Sequence, residues 1–250
     1  MSDAINLIRR SYPDEPEYGT AVSRAILIRV AAGELPPTMR IHRPGREVAF
    51  GRRDIVAPGY ERAAAAAIAK GFAAVERLAG GRAAVFHEGT IALTRAYPDP
   101  QPPKRTYARF AEMAGLVRDA LARIGIVDPR IGEVPGEYCP GAYSVNAGGR
   151  RKLAGVGQRM IKGGAHVGAV VVASGADEIR GVLKPVYEAL ELDWLPETPG
   201  SAADELGREV GPEELIEALV AGLAAAHEIE EADVDPETIA VAERLLRERA

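Results

Sequence analysis

Residues 142–172 constrain the fold more than any other stretch, because three strand-like runs follow one another there with only short glycine-rich turns between them. Residues 142–145 and 152–161 flank Asn146-Ala147-Gly148-Gly149, and Gly163-Gly164 leads into a third run at 166–172. Turns this short and this rich in glycine join neighbouring strands into hairpins, so the middle of the chain predicts a sheet. Residues 25–31 and 47–50 read as earlier strands, separated by the turn-formers Gly33, Pro36 and Pro37, with 51–54 as a loop. Residues 72–78, 83–87 and 90–96 supply more strands, with Gly80-Gly81 between the first two.

Helices cover this sheet. Five consecutive alanines predict a helix over 60–70 that Gly71 stops, since alanine has the best helix propensity and glycine suits a left-handed cap. Residues 106–124 place Phe110, Met113, Leu116, Val117, Leu121 and Ile124 on one stripe. After residue 177 the pattern becomes helical, at 178–192, 212–226 and 236–249, with 196–201 the most linker-like segment. The expectation is an α+β protein: a catalytic body over 1–195, and a C-terminal helical extension over 196–250 that belongs to the same unit.

The 250 residues, 47% hydrophobic, suffice for a substantial core. The single cysteine rules out an internal disulfide, and the polar, proline-broken start over residues 1–18 lacks an apolar signal region. A cytoplasmic location is therefore expected, with neither membrane nor nucleic acid as partner. Net charge is −5, unevenly placed: residues 177–250 carry 6 basic and 20 acidic side chains, whereas 150–162 carry five basic and no acidic ones. Arg40, Arg43, Arg46, Arg52, Arg53, Arg77 and Arg82 add basic charge to the first half. Such runs are either solvated surface or a site for an anionic partner.

The lone cysteine sits in Gly136-Glu137-Tyr138-Cys139-Pro140-Gly141. Buried lone cysteines are commonly inert. Here Pro140 and Gly141 put Cys139 in a turn, where adjacent N–H groups can face a substrate carbonyl, and the cation Lys152 follows thirteen residues later. A thiol near a cation is a candidate nucleophile, and an ammonium within reach also stabilises developing negative oxygen. In Arg77-Leu78-Ala79-Gly80-Gly81-Arg82 the paired glycines admit a ligand close to the backbone, and the arginines can neutralise a carboxylate or phosphate. A tight turn with two solvated arginines is the other reading. His87 closes the following strand, either to position substrate and accept a proton or as a structural residue.

In order, Met39-Arg40-Ile41-His42, Phe50-Gly51-Arg52, the segment from Arg77 to His87, and Lys152-Leu153-Ala154-Gly155 with Gln158-Arg159 resemble the lipoate-protein ligase and octanoyltransferase family over roughly residues 20 to 195. Tyr138-Cys139-Pro140-Gly141 followed by Lys152 is most similar to its cysteine-dependent octanoyl-carrier amidotransferase branch. The resemblance implies a biotin/lipoyl-ligase-like domain on a mixed β-sheet, with an apolar tunnel for the acyl chain. It implies that Cys139 takes an octanoyl or lipoyl group as a thioester, that Lys152 contacts the acyl carbonyl, and that Arg77, Gly80, Gly81, Arg82, His87, Gly155 and Gln158 line the substrate pocket. The partners it implies are lipoyl carrier domains, of a glycine-cleavage H-like protein or a 2-oxoacid dehydrogenase E2 component. The transferase needs no metal or cofactor.

The chain departs from the family pattern at Ala79, where a Ser or Thr is usual, at Ala83-Ala84, which inserts one residue before His87, and at His42-Arg43, where an aromatic is common. Two alternatives stand beside the transferase. One is a lipoate-protein ligase that uses ATP and Mg through an acyl-adenylate, with Cys139 incidental. The other is a non-catalytic module that binds acylated carriers, which would need no thiol.

Overall fold

In a computed structural model, which describes residues 4–248, the strand-rich middle forms the centre of an eight-stranded mixed sheet. The elements in chain order are β1 (Ile5–Ile8), α1 (Pro16–Ala31), β2 (Thr38–His42), β3 (Glu47–Phe50), α2 (Arg52–Ile55), α3 (Tyr60–Ala69), β4 (Ala73–Glu76), β5 (Ala84–Phe86), β6 (Thr90–Pro98) and α4 (Thr106–Arg123). They continue with β7 (Pro129–Ile131), β8 (Val145–Ala147), β9 (Arg151–Ile161), β10 (Gly164–Val172), α5 (Ala176–Ala189), α6 (Ala202–Leu206), α7 (Pro212–Ala226), β11 (Ile229–Ala232) and α8 (Pro236–Arg247). The large sheet runs β11-β1-β2-β6-β10-β9-β8-β7, and β4-β3-β5 form a second, smaller sheet. Two hairpins are present, β8 with β9 and β9 with β10, the latter with Gly168 opposite Gly157. The first is shifted: of the strand expected over 142–145 only Val145 is strand, and it continues through Asn146 and Ala147, expected as turn, so that the chain reverses at 148–150.

One face of the large sheet packs under α4 and α7, where Met113, Val117, Leu121, Leu215 and Leu219 meet Leu153, Val167 and Val171. The buried positions of α4 follow the stripe read from the sequence, at Met113, Val117 and Leu121, with Ala114 and Ala120 completing it. The small sheet has its own core with α3 and α5, in which Val48, Phe50, Phe72, Leu183 and Tyr187 are buried. Alternation along β10 divides these environments: Val167 and Val171 join the core under α4, whereas Val172 joins that of the small sheet.

Three local expectations are corrected. Residues 25–31 are not a strand but the last half of α1, which starts at Pro16 and buries Val22, Ile26 and Val30. A short apolar run does not separate the two periods, and the 16-residue helix wins because proline suits its first turn and one face packs on the sheet. Residues 51–54, read as loop, instead cap and begin a short helix over Arg52–Ile55. The C-terminal segment is not wholly helical, because β11 joins the large sheet as its edge, parallel to β1. Residue 249, the end of the last expected helix, lies outside the described residues.

The linker-like segment is tied down as well. The Lys152 amide donates to the Thr198 carbonyl at 2.8 Å, and the Gly200 amide donates to the Lys152 carbonyl at 2.9 Å. Part of the charge asymmetry is resolved inside the molecule. Arg9 pairs with Glu231, Arg10 with Asp233, Arg29 with Asp235 and Arg43 with Glu213, so basic residues of the first half pair with four carboxylates of the acidic tail. Among the described residues, no helix is long and apolar enough to cross a membrane.

Candidate functional site

Cys139 is partly exposed and has φ +43, a left-handed conformation that non-glycine residues seldom adopt. Neighbours fix both ends of the residue. The Cys139 amide donates to the Tyr187 hydroxyl at 2.9 Å, and that hydroxyl donates to the Ala83 carbonyl at 3.0 Å. The Cys139 carbonyl accepts from Lys152 Nζ at 2.8 Å. The strained backbone is thus over-determined by α5, β9 and the start of β5, the condition under which a local strain of order 1–3 kcal/mol persists.

The sulfur faces two donors. The Arg82 amide lies 3.1 Å from Sγ and Arg77 Nη1 lies 3.7 Å away. Donors in this position stabilise negative charge on sulfur. Arg77 Nη1 also donates to the Arg82 carbonyl at 2.9 Å, and the Arg82 side chain is held by Asp54 Oδ1 at 3.0 Å. Asp54 is fully buried and accepts the Gly51 amide through Oδ2 at 3.0 Å. A chain of contacts from α2 therefore sets the loop whose backbone meets the cysteine. The N–H groups expected beside Cys139 are occupied instead: the Gly141 amide donates to Glu137 Oε1 and the Cys139 amide to Tyr187.

Lys152 is 1% exposed and spends all three Nζ donors on Glu137 Oε1 at 2.9 Å, the Tyr138 carbonyl at 2.9 Å and the Cys139 carbonyl at 2.8 Å. Its place beside Cys139 was legible in the sequence, but the contacts are to the turn itself. Glu137, buried in turn, gathers the Val134 and Gly141 amides and the Ser144 hydroxyl as well as the ammonium. The result is a closed polar knot beneath the cysteine.

The cavity in front of Sγ is lined by Arg77, Gly80, Gly81, Lys152, Gly155 and Gln158, and aromatic rings from Tyr107, Phe110 and Tyr143 lie along it. Of the sequence-derived candidates, Arg82 reaches the site through its backbone, and His87 does not reach it. His87 is buried, its Nδ1 accepts the Gly89 amide at 3.1 Å, and Glu88 and Glu178 lie near it. These three residues form the only cluster of metal-ligating side chains among the described residues. Arg46 already pairs with both glutamates, which leaves the group the character of an ion-pair network. Gln158 faces the cavity while its Oε1 accepts from Arg109 Nε at 2.6 Å and its amide nitrogen donates to the Thr106 carbonyl.

Two glycines make the close approach of loop and strand possible. A Cβ on Gly157 would stand 2.8 Å from the Gly80 carbonyl oxygen. A Cβ on Gly81, which has φ +125, would stand 2.9 Å from both Cys139 Sγ and Arg77 Nη1. Gly81→Ala is expected to displace the loop from the sulfur, and labelling of Cys139 by a disulfide reagent should change in rate by about tenfold or more, the equivalent of about 1.4 kcal/mol. An unchanged labelling rate would show that the loop does not control the thiol.

Sequence reading missed Tyr187, Glu137 and Asp54. Tyr187 lies on the buried stripe of α5 and reads as ordinary core, and Asp54 lies in a stretch read as loop. Glu137 offered one signal, its adjacency to the cysteine motif.

The lipoyl protein ligase A/B catalytic domain model matches residues 15–224, and the chain belongs to that family. An octanoyl-GcvH:protein N-octanoyltransferase of Geobacillus kaustophilus is 27% identical over 209 residues, covering 80% of this chain and 73% of the relative. The enzyme of that name from Anoxybacillus flavithermus is 29% identical over 169 residues, which cover 67% of this chain and 60% of that one. The crystal structure of a lipoate-protein ligase A bound with ATP superposes with a TM-score of 0.79 at 21% identity, over 99% of this chain and 95% of that one, a likeness of fold.

Proposed function

We propose that this member of the lipoyl protein ligase A/B family is an acyltransferase of protein lipoylation, which moves an octanoyl or lipoyl group from one lipoyl carrier domain to another through a thioester on Cys139. The observation that carries this reading is the sulfur itself, on a residue that lines a cavity, with the Arg82 amide at 3.1 Å and the Arg77 guanidinium beside it. The names of the relatives, which specify octanoyl transfer from GcvH, support the same substrate class.

In the first step Cys139 Sγ attacks the carbonyl carbon of an acyl-lysine amide. The C–S bond forms, the C–N bond breaks, and the departing lysine nitrogen leaves as an amine with the proton brought by the thiol. In the second step the lysine amine of the receiving carrier attacks the thioester, the C–N bond forms and the C–S bond breaks. Its surplus proton returns to the sulfur. Arg77 and the Arg82 amide are the donors placed to stabilise negative charge at this centre. Lys152 is a positioning residue in this scheme, since its donors hold Glu137 and the Cys139 turn. For it to contact the acyl carbonyl, one of those bonds must be exchanged.

The thioester route requires neither ATP nor a metal, and the carriers it serves are expected to be an H-like protein as donor and another lipoyl domain as acceptor, in the cytoplasm. Mixing the protein with an octanoylated H-like carrier in the absence of ATP should add one acyl mass to the enzyme, removable by hydroxylamine. Acyl transfer that appears only when ATP and Mg are added would replace the transferase with the ligase.

A further inference from the structure

An acyl-lysine reaches Cys139 attached to a protein, and that sets a steric condition at the cavity. A lysine stem extends only about 6 Å from its own Cα, so the carrier must lay its body against the rim. Exposure identifies part of that rim, since Tyr107 lines the Cys139 cavity and is 76% exposed. Cavity and surface therefore meet where α4 begins.

Beside Tyr107 an open groove runs between the residues that precede α4 and the far end of β9, with Pro102, Pro103, Lys104, Met160, Ile161 and Lys162 in its walls. Two contacts join it to the cavity. Gln158 Nε2, from the cavity wall, donates to the Thr106 carbonyl at 3.2 Å, and the Thr106 hydroxyl lies 3.4 Å from Met160 Sδ. Lys162 follows Gln158 by four residues, roughly 13 Å at the rise of a strand, which falls inside the roughly 800 Å² that a stable partner covers.

The charge of this surface is one-sided. Residues 100–108 and 155–170 hold Lys104, Arg105, Arg159 and Lys162 and no aspartate or glutamate. All four cations are exposed, and among the described residues none pairs with a carboxylate within 4 Å. Asp99, next in sequence, is buried and already bonded to Arg109 and to the Gln101 amide. Tyr107 and Met160, 76% and 43% exposed, add apolar area beside the charges, and aromatic rings, methionine and arginine are the side chains enriched where proteins meet. The structure also divides the basic run over 150–162. Arg151 begins β9 and donates to the Glu197 carbonyl, whereas Arg159 and Lys162 stand at the other end of the strand, by the groove.

From this unpaired cationic groove beside the Cys139 cavity, we infer that the surface between Lys104 and Lys162 docks the carrier domain, which meets it with an acidic face next to its acyl-lysine. The inference rests on the acyl-transfer reading and adds to it the place and the charge of the partner's contact. A basic face would be repelled here, and a neutral one would cover the cations without a counter-charge.

The test separates docking from chemistry. An octanoylated H-like carrier is titrated calorimetrically into the whole protein carrying Cys139→Ala, where no thioester can form. Its affinity should fall severalfold as ionic strength rises from about 0.01 to about 0.1 M, which shortens the screening length from about 30 to about 10 Å. Adding Lys104→Glu with Lys162→Glu should weaken binding about tenfold or more at the lower ionic strength. Lys70→Glu with Arg123→Glu, an equal charge change at exposed sites outside the groove, should alter it less than twofold. With Cys139 retained, the groove variant should react with an uncharged disulfide reagent within twofold of the wild-type rate, and thermal melts confirm that each variant is folded. Binding unchanged in the groove variant, an equal loss in the control variant, or no measurable binding at all overturns the inference. Cys139 acylated by the carrier at an undiminished rate in the groove variant overturns it too, and leaves the acyl-transfer reading intact. Binding that depends on Lys104 and Lys162, with no adduct on the wild-type cysteine, upholds the docking surface and removes the thioester.

Discussion

Cys139→Ala is expected to lower acyl transfer between carriers by at least about 10³-fold while leaving the protein folded, because in the proposed thioester scheme the side chain supplies the attacking atom and little of the packing. Sγ accepts two hydrogen bonds, from the Arg82 amide and Arg77 Nη1, and the residue is partly exposed. Losing both costs about 2 kcal/mol, which for a domain of this size shifts the melting temperature by about 4–8 °C. Intact mass measured after mixing with acylated carrier should show no adduct on the variant. A Cys139→Ala protein that still turns over at a tenth of the wild-type rate would leave the sulfur out of the chemistry. Cys139→Ser should recover little, since the hydroxyl is far less readily ionised than the thiol.

Lys152→Met should be the most destabilising single change at the site. Lys152 and Glu137 are paired at 2.9 Å with side-chain exposures of 1% and 0%, so removing the ammonium strands a buried carboxylate. Breaking a buried pair in this way costs roughly 3–5 kcal/mol, or roughly 6–20 °C in melting temperature. Transfer should fall as well, because the Cys139 carbonyl loses the donor that fixes its turn. The double variant Lys152→Met with Glu137→Leu removes the stranded charge and should recover at least half of the lost stability without recovering activity. A single variant that melts within 2 °C of wild type would mean that the knot beneath Cys139 contributes nothing to the fold. Stability recovered together with activity in the double variant would show that Lys152 has no part in positioning the sulfur.

The two substitutions separate roles that sequence proximity alone merges. Cys139 and Lys152 stand out in the chain for the same reason, as a soft nucleophile and a cation near one hairpin. In space both border the cavity, the cysteine with a sulfur that accepts from the Arg82 amide and Arg77. The lysine lies behind it, with each of its donors already bonded.

Patterns whose cause is local were legible in the sequence. The hairpins of β8, β9 and β10 follow from glycine turns between strand-forming runs, α3 from its alanines and α4 from a stripe at helical spacing. The motif around Cys139, the glycine pair that approaches it and the cation beside it were equally visible, since residue type and spacing carry that chemistry. Packing decided the rest. The apolar residues 25–31 suit either period, and only the sheet and α8 against which α1 lies select the helix. The edge strand β11 carries two exposed glutamates and no strong propensity, and it exists because β1 offers an open edge. Tyr187 and Asp54 meet the site from α5 and α2, far from Cys139 in sequence, so no spacing rule could assign them.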